Sequence, residues 1–230
     1  MRGKLLLLIV EALVIATVFH LDYLNLLPVS KTPYLFLLGW ISIRLRDLRW
    51  RDVGLRLGPE PDRSLTKILL VGIVVGVGME ALELFLTQPL LTKLLGQGPD
   101  LHELQRLIGN MQLLILGIVL AWILAAFGEE AVYRGYLLNR CADLFGRSTT
   151  GWIAAAIIVT LVFGLAHFPQ GPTGIIENII DGAILVGIYF AMGRNLWAPI
   201  IAHGIQDTVD VLLIYLGMYP GLKQSGLALL

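Results

Sequence analysis

The chain has 230 residues, 57% of them apolar or aromatic and 15% charged, with a mean hydropathy of +0.78. A soluble domain carries about 25% charged residues, and one of this size cannot clothe its surface with so few, so soluble, disordered and disulfide-scaffold classes are excluded. The 17 basic and 17 acidic residues balance, leaving no net field to draw in nucleic acid. The single cysteine, Cys141, forms neither an internal disulfide nor a cysteine-based zinc finger.

A helix needs about 20 mostly apolar residues to cross the hydrocarbon core. Seven stretches are expected to span, at about 5–24, 33–43, 65–86, 113 to between 130 and 139, 151–167, 174–192 and 196–218, the second being short. The first opens with Arg2 and Lys4 in the manner of a signal peptide. No clear small-x-small site follows, and Glu11 interrupts the apolar run, so it is read as a retained span. The expected fold is all-α, a polytopic transmembrane helical bundle over 1–230 with its catalytic core at about 112–218.

Lys and Arg concentrate in cytoplasmic loops. Thirteen of the 17 lie in 1–4, 44–67, 134–150 and 193–195, leaving Lys31, Lys93, Arg106 and Lys223 on the other side. That places the N-terminus in the cytoplasm and makes 44–67 a cytoplasmic basic connector. Its arginines, with Trp50, Leu55 and Leu57, suit a surface-lying segment that meets anionic lipid heads without specificity.

An ionisable side chain inside a span costs roughly 2.5–3.5 kcal/mol on the insertion scale, so each needs a reason. The fourth expected span carries Glu129, Glu130 and Arg134, the fifth ends in Phe163 to His167, and the seventh carries His203 and Asp207. At about 100° per residue, Glu130 and Arg134 share a face and can pair, which leaves Glu129 as the free carboxylate. Phe163 walls one side of His167, and Asp207 can orient His203 or join it on a cation. Counting helical rise from the nearest cytoplasmic loop brings Glu129, His167 and His203 into the membrane interior, reached from the cytoplasmic face.

A carboxylate and two imidazoles around a buried, wettable cavity suit hydrolysis. Glu129 can activate water as a general base. His167, His203 and Asp207 can bind a divalent metal or polarise the scissile carbonyl directly. The residues alone leave both open.

At these positions the chain resembles the CAAX-processing endoprotease and bacteriocin-immunity (CPBP, or Abi) family of intramembrane proteases. The family motif EExxxR stands as Glu129-Glu130-Ala-Val-Tyr-Arg134, followed by Gly135-Tyr136-Leu137-Leu138. The motif FxxxH stands as Phe163 to His167, and the motif HxxxN, or HxxxD in some bacterial members, as His203 to Asp207. Each motif alone is weak, whereas the ordered set over about 129–207 is specific. Trp50-Arg-Asp-Val-Gly54-Leu55 is similar to a softer upstream element of many members. The resemblance implies cleavage of a peptide bond near a membrane surface, with Glu129 as base and His167, His203 and Asp207 catalytic. Glu130, Arg134 and Phe163 are implied to support them. It leaves a choice between zinc, or another divalent metal, on His167, His203 and Asp207 and a metal-free mechanism. Ionised Asp207 cannot donate to an oxyanion as Asn does, which favours a ligand or His-orienting role.

The implied partners are the lipid bilayer and a membrane-associated peptide or protein substrate, possession of a CAAX tail being a trait of the eukaryotic branch. The implied location is a multi-pass integral membrane protein, in the plasma (inner) membrane of a prokaryote. Two other functions fit the buried Glu, His and Asp: a proton- or cation-coupled transporter, and a non-catalytic membrane scaffold or immunity protein. Glu177 and Asp181, four apart, suit either a span entrance with Asp181 paired locally, which is preferred, or a cavity lining or second cation site; Tyr133 suits packing ahead of substrate contact. Glu11, His20, Glu80, Glu83 and Asp210 receive no role.

Overall fold

The computed structural model describes residues 2–56, 64–220 and 222, and their side chains from Leu6 onward. Residues 57–63 of the expected connector, with Leu57 and Arg63, and the expected basic residue Lys223 lie outside the described residues. Among the described residues the fold is all helical, without a strand. The principal helices are α1 (Arg2–Tyr23), α2 (Thr32–Arg44), α3 (Leu65–Leu95), α4 (Met111–Leu144), α5 (Thr149–Leu165), α6 (Gly171–Ala191) and α7 (Trp197–Tyr215). Helices therefore stand at every expected stretch. Four helical stretches, Leu6–Tyr23, Leu65–Leu95, Met111–Leu144 and Phe168–Ala191, are long and apolar enough to cross a membrane.

Local chemistry explains where the helices begin and end. The side chains of Ser64, Asn110 and Ser148 each accept hydrogen bonds from backbone N–H groups of the first turn of α3, α4 and α5, at 3.1 Å in each case. Gly96 closes α3 in the left-handed region, at φ +74°. Large apolar side chains such as Ile73, Val74, Val77, Ile115, Ile153 and Ile157 are exposed, as a lipid-facing surface requires. The buried centre is aromatic and small, with Leu35, Ala126, Tyr133, Tyr136, Phe163 and Tyr189.

The helices make close pairs. Gly72 and Gly76 of α3, four apart, lie against α7, and a Cβ added at Gly76 would stand 2.5 Å from the carbonyl oxygen of Ala202. In α4 the regular hydrogen bonding widens into π-helical stretches at Ala121–Glu129 and Ala131–Leu137, on either side of Glu130. Such widened turns occur mostly where a functional side chain must be re-aimed.

The loops gather at two ends. At one end Leu196 N–H donates to Gly54 O (2.9 Å), and Arg194 and Arg147 both lie over the Trp152 ring. Arg44, Arg46, Arg49, Arg51, Arg56 and Arg140 belong to the same end. At the other end Lys31 Nζ donates to Ala166 O (3.1 Å) and pairs with Asp22, while Asp100 N–H donates to Gln170 O (2.9 Å). Glu11, left without a role by the sequence, receives both Nη atoms of Arg46, at 2.5 and 3.0 Å.

Candidate active site

Arg134 and Glu130 are both fully buried, and Arg134 Nη1 donates to Glu130 Oε1 at 2.8 Å. Its Nη2 donates to Gly182 O at 3.1 Å, and its guanidinium carbon lies 4.4 Å from the centre of the Phe163 ring. The approach depends on Gly182, where a Cβ would meet Phe163 at 3.1 Å. The expected pair is thus present, although the helix that carries it is π-helical rather than regular.

His203 joins this pair. Its Nδ1 lies 3.0 Å from Glu130 Oε1, the same oxygen that holds Arg134. A carboxylate in this state only accepts, so Nδ1 carries the hydrogen and Nε2 is turned away from Glu130. Nε2 lies 3.6 Å from Asp207 Oδ1, an electrostatic pairing rather than a hydrogen bond. His167 follows the end of α5, and its Nδ1 lies 2.8 Å from Phe163 O. Nδ1 is the donor there too, leaving Nε2 available. The Phe163 ring packs at 4.9 Å from the His167 ring and 6.1 Å, edge-on, from that of His203. Tyr133 is buried and edge-on to the same phenyl ring at 4.9 Å, the packing role expected of it.

Glu129, His167, His203, Asp207 and Phe163 line one cavity of about 470 Å³. Glu129 Oε2 and Glu130 Oε2 are both buried with no hydrogen-bond donor on them, but Glu130 Oε1 is doubly bonded. The free carboxylate and the structural one are therefore distinguished by partners as well as by position. The donor atoms of His167, His203 and Asp207 do not converge as a closed ligand set. Among the described residues, the three groups whose oxygen or nitrogen donors lie within 4.8 Å of one another are Glu80, Glu83 and Asp210.

Two expectations change. The cavity walls include Ser30, Pro99, Leu101, Leu104 and Gln170, which belong to the loops at the end opposite the arginines. Counting rise along each helix missed this, because His167 sits at the far end of α5 and the 96–110 segment folds back over the site. Glu177 is buried and lines the cavity rather than marking a span entrance, and Asp181 lines it beside Glu177. Asp181 Oδ2 accepts from Gln206 Nε2 (3.1 Å), which also donates to Glu83 Oε2 (2.9 Å). These residues take the cavity-lining alternative, and Glu83 and Asp210, left without a role by the sequence, join them in a second acidic wall. Its only signal was a polar residue inside each of three apolar runs.

Residues 111–209 match the family model described as Rce1-like, type II CAAX prenyl endopeptidase Rce1-like. The match encloses all three motifs and agrees with the resemblance that they carry. No curated protein and no solved structure matches the chain. The matched family and the four long apolar helical stretches together support an integral membrane protein.

Proposed function

We propose that the protein is an intramembrane endopeptidase in which Glu129 activates the water that cleaves a membrane-associated peptide. The observation that carries this reading is the meeting of Glu129, His167 and His203, from three different chain segments, on one cavity with the Glu130–Arg134 pair behind them. Glu129 takes a proton from water as the oxygen attacks the scissile carbonyl, and that proton passes to the leaving amine. His167, its Nδ1 held by Phe163 O, accepts from the same water through Nε2 and positions it. His203 presents Nε2–H to the developing oxyanion. Arg134 already balances Glu130, so Asp207 supplies the counter-charge for a protonated His203. A divalent ion drawn to His167, His203 and Asp207 would supply Lewis-acid chemistry at the same carbonyl. The three donors do not form a closed set.

The positive-inside distribution puts the arginine-rich end in the cytoplasm. The cavity then opens at the other membrane face, and the substrate is a segment presented there. Seven spans with a cytoplasmic N-terminus, in a prokaryotic plasma membrane, complete the reading.

The test is cleavage of a library of membrane-tethered fluorogenic peptides by the protein in mild detergent. Glu129→Ala should abolish cleavage while the protein still folds. Loss on chelation with recovery on added zinc would assign a metalloprotease, and indifference to chelator a metal-free enzyme. Cleavage equal to that of the Glu129→Ala background across the library would overturn the protease reading in favour of transport or scaffolding.

A further inference from the structure

The face of α3 that meets α7 repeats every four residues: Gly72, Gly76, then Glu80, with Glu83 one turn on at the start of a π-helical turn, Glu83–Thr87. The matching face of α7 runs Ala198, Ala202, Gln206, Asp210. The glycines bring the two backbones together, so where the small residues end, three carboxyl groups are forced into one space. One oxygen from each of Glu80, Glu83 and Asp210 lies within 4.8 Å of the other two. Carboxylates on a single calcium-sized ion sit at about 2.3–2.6 Å from it, and so fall within about twice that of one another.

We propose that Glu80, Glu83 and Asp210 bind a hard divalent cation of the Ca2+, Mg2+ or Mn2+ class, at a site separate from His167, His203 and Asp207. Both oxygens of Glu83 are hydrogen-bonded, to Tyr219 Oη and to Gln206 Nε2. Glu80 is 5% exposed, and neither of its oxygens has a hydrogen-bond donor, nor does Asp210 Oδ1. A proton shared between Glu80 and Asp210 satisfies only that pair, whereas one divalent ion bonds to all three groups. A further carboxylate, Glu177, lines the cavity with Glu83 and Asp210; it too is 5% exposed, with Oε1 unpartnered. It marks the cavity as the ion's route of entry. All-oxygen donors select hard ions over zinc, which prefers nitrogen and sulfur. The bound ion would pin α3 to α7 one turn beyond Asp207, and hold the helix that presents His203.

The test is titration of EDTA-stripped, full-length protein in detergent with Mn2+, read as loss of the free-ion paramagnetic resonance signal. The protein is expected to take up one Mn2+ that Ca2+ or Mg2+ displaces, and to melt at higher temperature when loaded. Glu129→Gln with His167→Ala should bind it equally well, whereas Glu80→Gln and Glu80→Gln/Asp210→Asn should bind at least tenfold more weakly. If the double variant does not fold, the milder Glu80→Asp, which withdraws one donor by a methylene, should still weaken binding. No uptake by the wild-type protein, or a Mn2+ lost with His167→Ala and unchanged in Glu80→Gln, would overturn the site. Neither outcome depends on peptide cleavage, so the protease reading stands or falls separately.

Discussion

Glu130 Oε1 receives Arg134 Nη1 and His203 Nδ1 at once, at 2.8 and 3.0 Å, so a single buried oxygen ties the EExxxR helix to the helix that carries HxxxD. Its neighbour Glu129 makes no such bond at Oε2 and faces the cavity. The two adjacent glutamates should therefore separate stability from activity. Removing one partner of a buried ion pair costs about 3–5 kcal/mol, because the other charge is left uncompensated. Glu130→Gln is expected to lower the melting temperature strongly and reduce activity with it. Glu129→Gln should abolish cleavage while leaving the melting temperature unchanged or raised. Thermal denaturation in detergent, run beside the peptide assay, checks both, and equal melting temperatures for the two variants would contradict the assignment.

Asp207 stands at the last position of the HxxxD motif, 3.6 Å from His203 Nε2. If its charge supports a protonated His203, Asp207→Asn removes that support without changing shape. The cleavage rate should fall by about 100-fold, the lower range for losing an acid–base contribution, with little change in KM. Full activity in the Asn variant would instead make position 207 a neutral donor and return His203 to a different role.

The three motifs were legible because a charge inside an apolar run has to be explained, and Glu130–Arg134 needed only a spacing of four to be read as a pair. The meeting of His203 with Glu130 was not legible, since it spans 73 residues of chain and is set by the packing of Gly204 and Trp122. The π-helical stretches of α4 leave no trace in composition, as the same apolar residues serve either hydrogen-bond pattern. The direction in which the cavity opens is not legible in the sequence, because 96–110 has no periodicity. Its fold rests on backbone bonds such as Asp100 N–H to Gln170 O and Gly109 N–H to Tyr215 O. The link from Glu83 to Asp181 leaves no charge pattern in the sequence, because the residue that joins them is the neutral Gln206.

Gly204 sits directly after His203, and a Cβ there would stand 2.8 Å from the Trp122 ring. That indole is fixed in place, its Nε1 donating to Thr208 Oγ1 at 3.0 Å. Gly204→Val should push α7 away from α4 and draw His203 off Glu130. Overpacking of this kind costs about 1–3 kcal/mol. The loss of activity should exceed what the unfolded fraction explains, which a comparison of folded protein and cleavage rate at 20 °C below the melting point would show. The small-to-large change Gly187→Ala, at a glycine with nothing near its Cβ position, is the control and should be silent.

Outside the membrane helices, Asp100 accepts hydrogen bonds from the His102 backbone N–H (3.0 Å) and from His102 Nδ1 (2.9 Å). The backbone bond foremost, and then the ring, hold the Asp100 carboxyl below its usual range. A depressed folded-state value stabilises the turn at pH values above the ordinary aspartate range of about 3.9. The contribution is lost as pH falls through the lowered value. The His102 amide should therefore be protected from exchange at pH 5 and lose that protection only in stronger acid. In Asp100→Ala the same amide should be unprotected throughout, and protection that persists in that variant would assign it to another acceptor.

The side from which substrate enters can be read directly. Ser30 and Leu104 line the cavity, whereas Arg51 and Arg194 lie at the arginine-rich end. With Cys141 first replaced by Ala, single cysteines at 30, 104, 51 and 194 can be exposed to a membrane-impermeant maleimide in intact cells. Positive-inside orientation predicts labelling at 30 and 104 in whole cells, and at 51 and 194 only after the membrane is opened. Peptides tethered to the outer leaflet of proteoliposomes holding the protein in that orientation should then be cleaved only where the 30 and 104 face is outward. The opposite labelling would place the cavity on the cytoplasmic face. Arginines 44 to 56 would then lie outside the cell, and the substrate would be a cytoplasmic tail.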